Sequence, residues 1–290
     1  LFAENGDIRD KWEIVTKTED EGKAILPDVA AAISGKMEEH HLTKEDIKGI
    51  GVGVPAPVTA EGVVNGSANL GWKYKEAKKE LEELTGMKAT FGNDANVAAL
   101  GEMWKGGGRG FDSIVMVTLG TGVGGGVILG GKILTGTKGA AGEIGHMTVE
   151  YDEEETCNCG TKGCLEQYAS ATGIVRLAKK QMVETSSLAK ISNLTAKDVF
   201  DEAKAGDVYA LQIVDRFARY LGVALGNVAQ IIDPEAFVIG GGVARAGSII
   251  TESIEKYYND SVMFALRGKQ FNLAELGNDA GIYGAVRMVL

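Results

Sequence analysis

The stretch from His146 to Glu166, HMTVEYDEEETCNCGTKGCLE, contains all three cysteines of the chain and one of its three histidines. Structural zinc sites use four tetrahedral ligands, and three thiolates with one imidazole are a usual set. The spacing Cys-x-Cys-x₄-Cys is tight, but the glycines of CGTKGC allow the chain to turn back. We therefore predict a structural Zn²⁺ site made of His146, Cys157, Cys159 and Cys164. Free thiols and a chance cluster are the alternatives.

Two glycine-rich segments are the next candidates for chemistry. LGTGVGG fits G-x-G-x-x-G at Gly120, Gly122 and Gly125, a pattern that opens a helix when it binds a dinucleotide. The residues that follow, GVILGGKIL, are strand-like, so the sequence predicts a hairpin turn here. Bare glycine backbone beside the Thr121 hydroxyl suits a phosphate, and a hairpin without a ligand is the alternative. The second segment, IGGGV at 239–243, could carry a flat base or ribose on its backbone.

These residues must be positioned by strands and helices, which hydrophobic periodicity predicts. Strands are expected at 10–18, 47–55, within 88–93, within 113–134 and at 236–244. Helices are expected at 19–42, 74–86, from 93 or 94 to about 105, and at 170–182, 195–206, 208–232, 248–260 and 277–290. The order is mixed α/β, and GGGRG at 106–110 suggests a boundary. We predict a smaller N-terminal lobe, 1–107, rejoined by the helix 279–290, and a larger lobe, 108–278, with the zinc site and the nucleotide-binding loops.

Composition excludes several classes of protein. The chain has 290 residues, a formal net charge of −10 and 41 glycines but only 4 prolines. The acidic balance argues against a broad nucleic-acid surface. No apolar run approaches the roughly 20 residues that span a bilayer, and the polar start does not read as a secretory signal. We expect a soluble cytoplasmic protein that binds neither nucleic acid nor membrane.

LGTGVGGG, AAGEIGH, CNCGTKGCLE and FVIGGGV, in this order and spacing, resemble the ROK family of bacterial sugar kinases, and within it the glucokinases of Gram-positive bacteria. The resemblance covers essentially the whole chain. It implies an actin-like ATPase fold of two α/β lobes, with sugar and ATP in the cleft. It also implies ATP-dependent phosphorylation of glucose to glucose 6-phosphate with Mg²⁺, the entry step of glycolysis, and a homodimer formed through the larger lobe.

Two departures from the family pattern bear on activity. The family opens with a strand carrying Asp-x-Gly-Gly-Thr, whose turn faces the ATP phosphates and Mg²⁺. Here Leu1 falls in the strand after it, so we expect that segment to be missing and phosphoryl transfer by the chain as it stands to be greatly reduced. The sugar-side loop, Pro-Gly-x-Val in the family, reads PAPV at 55–58. Because Ala56 disfavours the positive φ that glycine allows, we expect a slightly different loop.

The resemblance assigns roles to particular residues. Asp94 in GNDAN would accept the proton of the sugar hydroxyl, a step that phosphoryl transfer needs. Capping of the following helix is the alternative role for Asp94. Asn93 beside it would contact sugar hydroxyls. The glycine loops would bind ATP through Gly120, Thr121, Gly122, Gly241 and Gly242.

Carboxylates and amides suit the hydroxyl ring of a hexose, and the resemblance points to Asn69, Glu143, His146 and Glu166. A solvated surface acid is the alternative for either glutamate. His146 would bind zinc through one ring nitrogen and the sugar through the other. The metal would then fix the tautomer of His146 and hold Glu166, two residues after Cys164. The acidic EYDEEE at 150–155 is interpreted as a solvated loop with no assigned role.

Two other functions remain open at this point. A ROK kinase for fructose, mannose or an N-acetyl-hexosamine would use the same types of sugar-contacting residue. A sugar-sensing transcription regulator of the same family would carry a basic helix-turn-helix domain ahead of the sugar lobe, and the acidic balance of this chain argues against that.

Overall fold

The structure is a computed structural model that describes all 290 residues. The first elements along the chain are α1 (Glu19–Gly22), α2 (Ile25–Glu39), β1 (Ile50–Val54), α3 (Ala77–Thr85), β2 (Ala89–Asn93) and α4 (Asp94–Lys105). They are followed by β3 (Ile114–Leu119), β4 (Val123–Leu129), β5 (Lys132–Ile133), α5 (Glu166–Ala169), α6 (Ala171–Lys180), α7 (Ala196–Lys204) and α8 (Val208–Ile232). The last are β6 (Ala236–Gly240), α9 (Ser248–Ser261), β7 (Gln270–Leu273) and α10 (Ala280–Arg287). No helix combines the length and the apolar character that crossing a bilayer needs.

The chain divides into two compact units. The first contains Leu1–Arg109, Gly126–Gly142 and Asn278–Leu290, and the second contains Gly110–Gly125 and Glu143–Gly277. Sequence reasoning assigned 126–142 to the later lobe, whereas the structure groups this segment with the first unit. The cause is close packing of β4 on α4: a Cβ at Gly126 would lie 2.6 Å from the Cβ of Ala99.

In the first unit, β1 and β2 form a parallel pair. Val54 at the end of β1 is in register with Asn93 at the end of β2. The loop that follows β1 and the helix that follows β2 therefore start at the same edge of the pair. Carboxyl ends of parallel strands are where α/β proteins bind ligands.

Helices α4 and α10 are packed backbone to backbone in this unit. A Cβ at Gly284 of α10 would lie 1.7 Å from the carbonyl oxygen of Val97, and one at Gly101 of α4 would lie 2.1 Å from that of Ala280. Only residues without a side chain permit this approach. The contact fixes the axis of α4 and so the place where α4 begins.

In the second unit, β3, β6 and β7 are parallel. Phe237 of β6 is fully buried and stacks on Phe271 with ring centroids 4.9 Å apart. The long helix α8 buries a continuous face that includes Phe217, in edge contact with Phe200. Thr118 is in register with Gly240, so both glycine segments follow strands that end side by side.

Most predicted elements are present, but the strand expected at 10–18 is wrong. Residues 10–18 form no strand, and the nearest strand-like pairing is a single antiparallel bridge between Phe2 and Ile8. Alternation there does not produce a buried face, because Ile14 and Val15 are both exposed. The predicted hairpin around the first glycine segment, in contrast, is confirmed as β3 and β4.

Candidate functional site

The first candidate residues lie where β2 passes into α4. Asn93 is the N-cap of α4: its Oδ1 accepts the backbone N–H groups of Ala95 at 3.0 Å and Asn96 at 3.2 Å. Its Nδ2 donates to the carbonyl of Ala56 at 3.2 Å. Asn93 therefore ties the start of the helix to the loop that follows β1.

Asp94 is the first residue of α4 and is exposed. Its Oδ1 accepts only the adjacent N–H of Ala95, at 2.8 Å. Since Asn93 already satisfies the N–H groups of the first turn, capping does not explain an acid at position 94. The geometry thus provides an exposed carboxylate at the carboxyl edge of a parallel strand pair.

The neighbouring loops complete this first set of residues. Ala56 is buried and has a negative φ, so the loop is built without the left-handed residue that glycine would allow. The Ser67 hydroxyl donates to the carbonyl of Pro55 at 3.1 Å, which holds the two loops together. Asn69 is exposed in the short 3₁₀ turn Ala68–Leu70 that follows.

In the second unit, the two glycine segments meet at the ends of β3 and β6. A Cβ at Gly241, whose φ is +85°, would lie 2.5 Å from the carbonyl oxygen of Leu119. Gly242 and Gly120, in contrast, have ordinary φ values, and a Cβ on either would meet nothing within 4 Å. The residues predicted to bind nucleotide are therefore brought together, with open space beside two of them.

The turn after β3 is also held from the side by the start of α6. The carbonyl of Gly120 accepts the N–H of Ala171 at 2.8 Å, and the carbonyl of Thr121 accepts the hydroxyl of Thr172 at 2.7 Å. With its carbonyls bound in this way, the turn has a defined orientation and Thr121 remains exposed.

Glu166 lies directly on this turn. Its Oε2 accepts the N–H of Val123 at 3.1 Å, and a Cβ at Gly122 would lie 2.0 Å from the same oxygen. Its Oε1 accepts the Cys157 thiol at 3.8 Å. Glu166 thus connects the glycine turn with the cysteine cluster. Its position two residues after Cys164 indicated the cluster, but not the contact with the turn.

A 3₁₀ turn, Ile144–His146, follows Glu143 and contains His146. Glu143 is exposed and precedes the turn, while His146 ends it and is partly buried. The next residue, Met147, accepts the N–H of Leu165 at 2.8 Å, which joins the turn to the segment before α5. Nδ1 of His146 lies 3.9 Å from Sγ of Cys157. Cys157 therefore has His146 on one side and Glu166 on the other.

The structure brings together the four predicted metal ligands. The ligand atoms of His146, Cys157, Cys159 and Cys164 all lie within 4.8 Å of one another, and the sulfur atoms of Cys159 and Cys164 are 3.5 Å apart. Two sulfur atoms bound tetrahedrally to one zinc would be about 3.8 Å apart, given a Zn–S distance of about 2.3 Å. The donor set therefore fits zinc, with no open ligand position for catalysis at the metal.

The thiols of the cluster differ in their protonation. Burial raises the pKa of Cys157 to about 12, whereas hydrogen bonds from Thr161 lower the pKa of Cys159 to about 6. Zinc binds thiolates, so its binding would release the protons of those thiols that are still protonated. The Thr161 hydroxyl lies 3.1 Å from the sulfur atoms of both Cys159 and Cys164.

Sequence reasoning missed Thr161 and Gln167 as supports of this cluster. The Gln167 Oε1 accepts the N–H of Cys164 at 3.0 Å, which fixes the backbone of a ligand residue. Both residues lie two or three positions from the ligands they contact, but the spacing of the ligands does not indicate that their side chains support the cluster.

The chain is similar to a known protein family and to known proteins over nearly its whole length. The model of the ROK family matches residues 1–290. A glucokinase of Halalkalibacterium halodurans is 46% identical over 287 residues, which are 96% of this chain and 87% of the relative. A glucokinase of Thermotoga maritima is 37% identical over 298 residues, covering 100% of this chain and 92% of the relative. The family resemblance read from the motifs is thereby confirmed.

Comparison with solved structures gives the same result for the fold. A ROK family glucokinase from Streptomyces griseus, in complex with glucose and AMPPNP, superposes with a TM-score of 0.75 at 33% identity. The match covers 99% of this chain and 93% of that one. The predicted α/β actin-like ATPase fold is confirmed.

Because four ligands converge, we expect the purified protein to contain about one zinc per chain. Replacement of a buried ligand in Cys164→Ser should abolish zinc retention, measured by metal analysis after dialysis. Asn158→Ala, which changes an exposed residue between two of the ligands, should retain the metal. A full zinc content in the Cys164 variant would show that the cluster is not the binding site.

Proposed function

This chain belongs to the ROK family, and from that membership we propose that it is an ATP-dependent glucokinase that forms glucose 6-phosphate and ADP. The observation that carries the proposal is the 46% identity to a glucokinase over 96% of the chain. The residues around each predicted site support it independently. A kinase of this kind would act in the cytoplasm, where ATP is available, at the entry of glucose into glycolysis.

Asp94 is proposed as the base. As the glucose 6-hydroxyl oxygen bonds to the γ-phosphorus, the bond from that phosphorus to the β,γ-bridging oxygen breaks and ADP leaves. The hydroxyl proton passes to the carboxylate of Asp94. Its exposed position at a helix start, relieved of capping by Asn93, supports this role. Mg²⁺ bound with ATP would neutralise charge on the phosphates.

Glucose is proposed to bind through five further side chains: Asn69, Asn93, Glu143, His146 and Glu166. Oε2 of Glu166 accepts the N–H of Val123, and each carboxylate oxygen has capacity for a further hydrogen bond from a sugar hydroxyl. His146 directs Nδ1 toward the cysteines, so Nε2 is the nitrogen available to a sugar hydroxyl. Zinc bound at Nδ1 would set this tautomer before the sugar binds.

ATP is proposed to lie on the glycine segments, with Gly120, Thr121, Gly122, Gly241 and Gly242 as contacts. Glycine costs conformational entropy on folding. Gly122 and Gly241 are needed by the protein itself, because a side chain would collide with Glu166 or Leu119. Gly120 and Gly242 meet no such obstacle. A ligand in close contact with their backbone gives a reason for glycine at these two positions.

The direct test is a coupled assay of ADP formation by the full-length protein with ATP, Mg²⁺ and a panel of hexoses. We expect glucose to give the highest kcat/KM, with fructose, mannose and N-acetyl-hexosamines lower. If another sugar of the panel is preferred, the protein is a ROK kinase with a different substrate. ADP formation with none of them would overturn the proposal.

Asp94→Asn should lower kcat by about 10²- to 10⁴-fold, the usual contribution of a general base, while the dissociation constant for glucose changes little. Steady-state kinetics and isothermal titration with glucose measure the two effects. Asp28→Asn is a matched control, since Asp28 is also an acid in the first turn of a helix of the same unit. Near-normal turnover by Asp94→Asn would remove Asp94 as the base.

Gly242→Ala should raise the KM for ATP by about 10-fold or more, because a methyl group would enter the space proposed for the nucleotide. Thermal stability should hardly change, since the new Cβ meets no protein atom within 4 Å. Gly35→Ala is the control: Gly35 is equally unobstructed but lies in α2. If both variants bind ATP like the parent, the nucleotide does not lie on Gly242.

A further inference from the structure

The acidic segment 150–155 is not the solvated loop that its composition suggested. Asp152 and Glu154 are exposed, but Glu153 is buried, with 7% of its surface accessible. A buried carboxylate is costly unless it is paired and hydrogen-bonded. Glu153 is both: it accepts the hydroxyl of Tyr168 and lies 2.5 Å from Nη2 of Arg176. The segment therefore contains one residue held firmly inside the second unit.

Arg176 contacts four different residues. Besides Glu153, its Nε donates to the carboxylate of Glu155 at 2.9 Å and its Nη1 to the carbonyl of Gln167 at 3.4 Å. The guanidinium also lies over the ring of Tyr168, 5.5 Å from the centroid. A guanidinium is planar and rigid, so its donors fix the relative positions of the groups they reach. Two of these groups, Gln167 and Tyr168, belong to α5.

Further contacts tie α5 to both ends of the acidic segment. Nε2 of Gln167 donates to the carbonyl of Glu155 at 3.0 Å. The Tyr168 ring packs on that of Tyr220 with centroids 4.3 Å apart, and the Tyr220 hydroxyl donates to Glu150 at 3.0 Å. The segment and the short helix thus form one connected set of contacts.

Glu166 is the first residue of α5, two positions before Tyr168. If this four-residue helix rotated about its axis, the Glu166 carboxylate would move away from the N–H of Val123. We propose that Glu153 and Arg176 are positioning residues of the sugar subsite, which hold Glu166 in place through Tyr168 and Gln167. This inference rests on the proposed binding of glucose by Glu166.

The network stays charged over the working range of pH. Burial alone would raise the pKa of Glu153, but hydrogen bonds from Tyr168 and Arg176 lower it to about 2. Burial and the contact with Glu153 raise the pKa of Tyr168, so its hydroxyl remains a donor. The ion pair is therefore intact wherever a kinase of this type would operate.

The test compares Glu153→Gln and Tyr168→Phe with the control Asp201→Asn, which removes a carboxylate charge from the exposed pair Lys197–Asp201 of α7. Glu153→Gln should raise the glucose KM about 10-fold, because the Glu166 carboxylate would no longer be held firmly in place, with kcat changed less than about 3-fold. Tyr168→Phe keeps the ring and loses only the hydroxyl, so its effect should be smaller and in the same direction. The KM for ATP and the kinetics of the control should not change.

Hydrogen exchange gives a readout independent of turnover. Amides of 166–169 should exchange faster in Glu153→Gln than in the control, by about 10-fold. If Glu153→Gln folds poorly, the same kinetic and exchange measurements on Tyr168→Phe decide the test.

An unchanged glucose KM in folded variants would overturn the positioning role, as would equal losses for glucose and ATP, which a general weakening of the fold would cause. If the parent protein phosphorylates no hexose, the proposed function fails by itself. In that case the exchange rates decide the positioning role: faster exchange than in the control supports it, and equal exchange rejects it.

Discussion

The contact of the Glu166 carboxylate with the bare backbone at Gly122 is the constraint on which the second unit's candidate site depends. It requires glycine at 122, because a side chain there would occupy the place of the carboxylate oxygen. Oε2 of Glu166 accepts the N–H of Val123, where β4 begins, and Oε1 lies 3.8 Å from the sulfur of Cys157. A charged acceptor of a backbone N–H makes a stronger hydrogen bond than a neutral one. The turn after β3, the cysteine cluster and α5 are consequently held in one arrangement.

Much of this could be predicted from the sequence, because the relevant signals are local. Periodicity located nearly all helices and strands, and the cysteine spacing identified the four residues that converge. The sequence places the N-terminus of α4 at Asn93 or Asp94, and the structure distinguishes the two: Asn93 is the N-cap, and Asp94 is the first residue of the helix. Amide and carboxylate cap about equally well, which is why sequence alone could not assign the cap.

What sequence did not predict depends on contacts between distant residues. Alternation at 10–18 resembles a strand, but alternation predicts a strand only if one face becomes buried, and Val15 stays exposed. The run EYDEEE has six polar or acidic residues in a row, and nothing in it distinguishes Glu153 from its neighbours. The distinction comes from Tyr168 and Arg176, 15 and 23 residues later. A buried ion pair of this kind cannot be identified from the sequence, because only the folded chain brings Arg176 next to Glu153.

Helix α5 shows why such contacts are needed. It has four residues, and so short a helix has no stability of its own, because the first turn fixes several dihedral angles for a single hydrogen bond. Its orientation must come from its side chains. Glu166, Gln167 and Tyr168 are each held by a different group: the backbone at Val123, the backbone at Cys164 and Glu155, and the carboxylate of Glu153. Three consecutive side chains point around the short helix in different directions, so together they prevent rotation that any one of them would permit. A carboxylate carried by such a helix can be as well oriented as one carried by a long helix, provided that all three anchors are present.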